Sequence, residues 1–144
     1  MIHFASTLNI SFVSAFEILS LCQQKAKELG IEISVCIVDN AGNEILFCRM
    51  DKAPLLSLSI SKKKAFSAVS YSLETGQKWW DFIKSDPILL NSIPQMENFT
   101  ILGGGKPIFY NNELIGAIGV SGGHYSQDEA CIDFALNTLS LQSS

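Results

Sequence analysis

The chain has 144 residues, enough for one domain spanning 1–144 with a sizeable core. Hydrophobic residues make up 47% of it and charged residues 17%; that surplus implies surface buried against another subunit or a ligand. A net charge of −4 argues against nucleic acid as a partner, and no run reaches the roughly 20 apolar residues of a membrane helix.

The first predicted element is a helix. Phe12, Phe16, Leu19, Cys22, Ala26 and Leu29 recur at three- and four-residue spacing and give one apolar face. Ser11 can cap its start, as can Ser14 with Glu17 in a capping box, and Gly30 stands where a left-handed residue ends a helix. The period then drops to that of a strand. "IEISVCIVD" (31–39) and "EILFCRM" (44–50) flank Asn40-Ala41-Gly42-Asn43 and predict an antiparallel hairpin, closed by Pro54. Ser57 to about Leu73 predicts a second helix. A shorter third begins near Thr75, where Trp79, Trp80, Phe82 and Ile83 are too apolar to face water all round. "SDPILLNSIPQMENF", with two prolines, reads as a winding connection.

The last third predicts three strands: Phe99–Leu102, Pro107–Tyr110 and Glu113–Ser121, the latter two joined by a tight turn at Asn111-Asn112. Ser126-Gln127-Asp128-Glu129 predicts a capping box that opens a final helix, with Ala130, Phe134, Thr138 and Leu141 on one face. The order α-β-β-α-α-β-β-β-α implies an α/β (α+β) domain, a five-stranded antiparallel sheet with helices on its faces.

The charge is unevenly spread. Between residues 49 and 64 stand Arg49, Lys52, Lys62, Lys63 and Lys64 against the single acid Asp51. Lys62, Lys63 and Lys64 point in three directions around a helix, so at least one is expected to face inward and to need a carboxylate, from a ligand or from Asp39 or Asp51 nearby. "GGGKP" (103–107) is not a phosphate loop: proline stands where the hydroxyl residue belongs and a strand follows in place of a helix. Gly103, Gly104 and Gly105 read as a bend, and Gly116 and Gly119 as points where another backbone comes close. Gly122 and Gly123 precede a helix whose free amides can hold an anion. Of two histidines, His3 is near a terminus and His124 sits beside that helix start. Cys22, Cys36, Cys48 and Cys131 form neither CxxC nor CxxCH and read as buried thiols.

Two stretches together carry a family resemblance. "VDNAGNEILFCRMDKAPLLSLSISKKKAFSA" (38–68) and "GGGKPIFYNNELIGAIGVSGGHYSQDEA" (103–130) resemble the GlcG/HbpS-like haem-binding family, which includes the C-terminal domain of PduO-type proteins. Matching positions include Asp39, Gly42, Arg49-Met50-Asp51, Ser57, Lys64-Ala65, Gly104, Gly116 to Gly123, Gln127-Asp128 and Ala130, while 75–98 follows no pattern of the family. The resemblance implies a profilin-like three-layer α/β/α fold and homo-oligomers, dimers building up to octamers. It also implies a tetrapyrrole ligand, since some members bind haem, and an association with diol, glycerol or glycolate metabolism.

The expectation is an oligomeric cytoplasmic accessory protein for a small ligand, haem or another tetrapyrrole. Arg49, Lys62, Lys63 and Lys64 would meet its propionates, Gly103, Gly104, Gly105, Gly122 and Gly123 would form the rim, and His124 would be an axial ligand. Two alternatives stay open. One is an enzyme acting on a small oxygenated metabolite, with the 121–126 turn as an anion hole and Lys or Asp as acid–base. The other is a structural or chaperone-like partner of a cobalamin-dependent enzyme. No paired carboxylates or nucleophile–base couple stands out, so no catalytic residue and no protein-bound metal site is assigned.

Overall fold

Four strands meet in one antiparallel sheet in the computed structural model, which describes residues 1–144. They are β1 (Ser34–Asp39), β2 (Glu44–Arg49), β3 (Gly105–Tyr110) and β4 (Glu113–Ser121), ordered β2-β1-β4-β3. The helices are α1 (Phe12–Leu29), α2 (Ser57–Ser70), α3 (Gln77–Ile83), α4 (Pro87–Ser92) and α5 (Tyr125–Thr138). Register explains the layering. Val35 opposes Val120 and Ile37 opposes Ile118, and these side chains pack with α1 and α5 in one core. Cys36, Val38 and Ala117 point the other way and pack against Ala65, Ala68 and Val69 of α2. Helices therefore cover both faces of the sheet.

The predicted fifth strand is absent: residues 99–102 form no ladder. Their backbone groups are taken elsewhere. Thr100 N donates to Ser67 Oγ, Ile101 O accepts from Gly76 N, and Phe99 packs edge-on to Trp79 with ring centroids 4.9 Å apart. The segment is pinned to α2 and α3, which leaves no pair of free edges for a neighbour. The winding connection holds a helix, α4, because Asp86 caps it from Ile88 N and Leu89 N and Pro87 fits its first turn.

Helix faces are also turned from their expected settings. Ser11 caps α1 and Gly30 closes it at φ 70°, as the sequence predicts, but the buried stripe is Ala15, Ile18, Leu19, Cys22 and Ala26. Phe12 and Phe16 are 61% and 53% exposed. In α5 the buried stripe is Asp128, Cys131, Ile132, Ala135 and Leu136. Its capping box is set two residues earlier than expected: His124 accepts from Ser126 N, and Gln127 Oε1 accepts from His124 N.

Helix α2 lies almost on the sheet backbone. Gly119 of β4 faces Gly105 of β3 in register. A methyl group on Gly119 would collide with Ser61 O and stand 2.6 Å from Ala65 N. At its outer side β3 is held at both ends: Thr75 N donates to Gly105 O and Thr75 Oγ1 accepts from Gly105 N, while Phe109 and Gln142 exchange two main-chain hydrogen bonds. Burial pushes the Cys36 thiol up to about 12, with Glu44 beside it adding to the rise, and Cys131 up to about 11. Both are protonated and unreactive at neutral pH.

Candidate functional site

Helix α2 carries Lys64 on the side that faces the β4–α5 junction. Its side chain is 2% exposed, and the ammonium donates to Val120 O at 2.7 Å and to Asp128 Oδ2 at 3.0 Å. Asp128, 1% exposed, also accepts from Gly123 N at 3.0 Å through Oδ1. The α5 capping box fixes the turn that presents Gly123, so the helix start and the ion pair form one hydrogen-bonded unit. Burial lowers the Lys64 pKa, opposed by the Asp128 charge, and raises that of Asp128, opposed by Lys64 and by the Gly123 amide. Burial therefore favours the uncharged forms of both partners and mutual attraction restrains the shift. Gly104, at φ 108°, passes directly over this pair, and a Cβ there would sit 2.8 Å from Lys64 Nζ.

A cleft of about 270 Å³ opens on this unit, with Ile60, Leu102, Ser121, His124 and Tyr125 among its walls. Leu102 and Tyr125 are shared with a second cleft of about 340 Å³ bounded by Gly76, Trp80, Ile101, Gly103 and Glu129. Burial raises the Glu129 carboxyl above its ordinary range, with Lys106 opposing. The shared rim is apolar and open: Leu102, Trp80 and Tyr125 are 46%, 43% and 51% exposed. His124 stands on this rim, its ring 4.1 Å from that of Tyr125. Its Nδ1 is engaged by Ser126 Oγ at 2.8 Å and by Ser126 N, which leaves Nε2 without a partner in the chain.

The sequence-predicted residues fall into separate places. Lys64, Gly103, Gly104, Gly123 and His124 converge on the joined clefts. Gly105 lies beneath α2, against Lys64 O and Thr75, and Gly122 packs on Glu32 and Ile33. Lys62 and Lys63 line a third cleft of about 260 Å³ on the opposite flank of α2, beside Phe66 and Asn98. There Lys62 pairs with Glu44 at 3.4 Å and lies over the Phe47 ring. Arg49, at the end of edge strand β2, binds Ala53 O through Nε and Nη2. Four cations close in sequence thus serve three different surroundings. The internal partner of the inward-facing lysine is Asp128, and neither Asp39 nor Asp51 supplies it.

Sequence reasoning did not pick out Asp128 or Trp80 as site residues, and it reached Ser121 and Tyr125 only as part of the 121–126 turn. Asp128 stands there only inside the predicted Ser126–Glu129 capping box and among the positions of the family resemblance. Its pairing with a lysine 64 residues away is a tertiary fact.

A mixed α/β domain, an antiparallel sheet between helices with clefts at the β4–α5 junction, is the class that these features define. Within it, residues 10–137 match the family model described as haem degrading protein HbpS-like, and the chain belongs to the HbpS-like family. An uncharacterized 15.0 kDa protein of Citrobacter freundii, from the dhaT-dhaS intergenic region, is 32% identical over 91% of this chain and 92% of its own length. Among solved structures, the Klebsiella pneumoniae protein ORFY is similar at 31% identity and TM-score 0.88, with 97% of each chain covered. The PduOC:heme complex is similar at 28% identity and TM-score 0.85, covering 94% of this chain and 99% of the other.

Proposed function

We propose that this protein is an oligomeric accessory protein that binds haem or a related tetrapyrrole on the ledge formed by Trp80, Leu102, His124 and Tyr125. The observation that carries the reading is the open apolar ledge of Trp80, Leu102 and Tyr125, with His124 on its rim and Nε2 unpartnered in the chain. Because Nδ1 accepts from Ser126 N, the neutral ring carries its proton on Nε2, and binding to iron there requires that proton to leave. Family membership and the similarity to the PduOC:heme complex support the same ligand. When bound, the group would supply ligand exchange or redox chemistry at its iron. This chain's part is to hold it by one face, with Gly103 and Gly123 allowing close approach of main chain.

The joined clefts are open, and one copy covers one side of a macrocycle. The apolar exposure of Phe12, Val13 and Phe16 on α1 supports assembly, with a second copy giving further cover. Lys62, Lys63 and Arg49 do not converge on His124, so propionates at this ledge find no ring of cations within one chain.

Hemin titration tests the reading. A sharpened, shifted Soret band that saturates at one haem per site is expected, and His124→Ala should lower affinity by at least about tenfold through loss of an iron ligand. Absorbance that rises linearly without saturation in the wild-type protein overturns it.

A further inference from the structure

The haem reading uses the outer rim and leaves the floor of the smaller cleft unexplained. That floor is Lys64, Asp128 and Ser121. Val120 O and Asp128 Oδ2 take two of the three ammonium N–H bonds of Lys64. Gly104 passes over the nitrogen with no side chain of its own, and Lys64 is among the residues that line the cleft. Ser121, next in the chain to Val120, is 6% exposed and lines the same cleft, yet its hydroxyl has no hydrogen-bond partner in the chain. Every other buried serine here is bonded: Ser34 to Ser57, Ser57 to Pro54 O, Ser61 to Leu58 O and Ser67 to Lys63 O. An ion pair that only tied α2 to α5 would need neither a cleft beside it nor a free hydroxyl open to that cleft.

We propose that Lys64 is a carbonyl-reactive amine, forming an imine with a small uncharged aldehyde that enters this cleft. Asp128 moves the protons and the Ser121 hydroxyl donates to the carbonyl oxygen. The apolar walls Ile60 and Leu102 favour an uncharged substrate, and the carboxylate on the floor selects against an anionic one.

The reaction balances without an oxidant or reductant. The proton of the Lys64 ammonium passes to the Asp128 carboxylate, leaving a neutral amine and a neutral acid, the forms that burial favours at both groups. The nitrogen lone pair forms the N–C bond while the C=O π pair moves to oxygen, which takes the proton held by Asp128. The resulting ammonium returns a proton to Asp128, giving the neutral carbinolamine. Asp128 then protonates the hydroxyl, the C–O bond breaks, water leaves, and the nitrogen lone pair makes the C=N bond. Loss of the iminium proton to Asp128 completes an imine plus one water. Reversal releases the aldehyde, so the site can store or carry it.

Reductive trapping tests this on haem-free protein and reads a different atom from the hemin titration, so either can fail alone. The protein is treated with propanal and cyanoborohydride at neutral pH for short times, digested, and its lysines are read by mass. Lys64 is expected to gain the propyl group ahead of the exposed Lys62 and Lys63, and Asp128→Asn is expected to slow labelling at Lys64 about a hundredfold with Lys63 unchanged. Labelling of Lys62 and Lys63 with Lys64 untouched, in wild-type protein of native circular dichroism, overturns the proposal. That wild-type order decides even if the variant does not fold. Pyruvate in a parallel arm is expected to label Lys64 less than propanal does. The reverse preference overturns the assignment of an uncharged substrate.

Discussion

Lys62 and Lys64 stand two residues apart on α2, yet Lys62 meets Glu44 at 3.4 Å with its side chain 50% exposed, while Lys64 meets Asp128 at 3.0 Å with 2% exposed. Both are single lysine–carboxylate pairs. Water solvates the first, so little is gained by forming it and little is lost by breaking it. The second is cut off from water on all but its cleft side, and each charge there depends on the other and on Val120 O and Gly123 N. The difference teaches that basic residues adjacent in sequence do not make one basic site. Two steps along a helix amount to about 200° of rotation, and that rotation moves a cation from a surface groove to a core.

The largest expected effect comes from breaking the buried side. Asp128→Ala leaves Lys64 charged and unpaired and should cost about 3–5 kcal/mol, read as a lower urea midpoint at unchanged slope. The double variant Lys64→Met, Asp128→Leu should recover most of that loss, because no charge stays behind.

An effect of intermediate size comes from pH. Burial holds the Asp128 carboxyl above its usual range, so the folded chain keeps a proton that the unfolded chain has lost. Its contribution to stability is complete below the unfolded value of about 3.9 and declines as pH rises through the raised folded one. Surface Asp81 behaves in the opposite sense. Hydrogen bonds from Lys84 and Gln77 hold its carboxyl below the usual range, so its contribution exists above the unfolded value and is lost as pH falls through the lowered one. Carboxyl-carbon NMR titration should place Asp128 above and Asp81 below an exposed reference aspartate.

Glu44→Gln should have the smallest effect. Removing the exposed partner of Lys62 should shift stability by about 0.2–1 kcal/mol at most, and a denaturation midpoint measured in high salt should erase the difference between variant and parent.

Local rules carried much of this fold. The α1 caps, the β1–β2 hairpin and the Asn111-Asn112 turn follow from adjacent residues; both asparagines take the positive φ that the turn requires, 48° and 64°. What adjacent residues could not specify is which apolar side chains go inside. Phe12 and Phe16 complete a regular stripe on α1, but Ala15 and Ile18 are the residues buried there and both rings stay exposed. Residues 99–102 have strand composition, and Trp79, Ser67 and Gly76 hold them as a strap instead. The site followed the same division. An inward lysine among residues 62–64 and the glycine turns were readable from the sequence, whereas Asp128 was not, because its pairing depends on how α5 is laid against β4.

The outer side of β3 has a further consequence for how this sheet can grow. Of its three outward-facing backbone positions two are taken, Gly105 by Thr75 and Phe109 by Gln142, and Pro107 between them has no N–H to give. At the opposite border β2 pairs with β1 alone. A foreign strand seeking to extend the sheet would find one shore barred and the other open, so lateral stacking of such sheets could proceed in one direction only, ending after a single pair joined through β2.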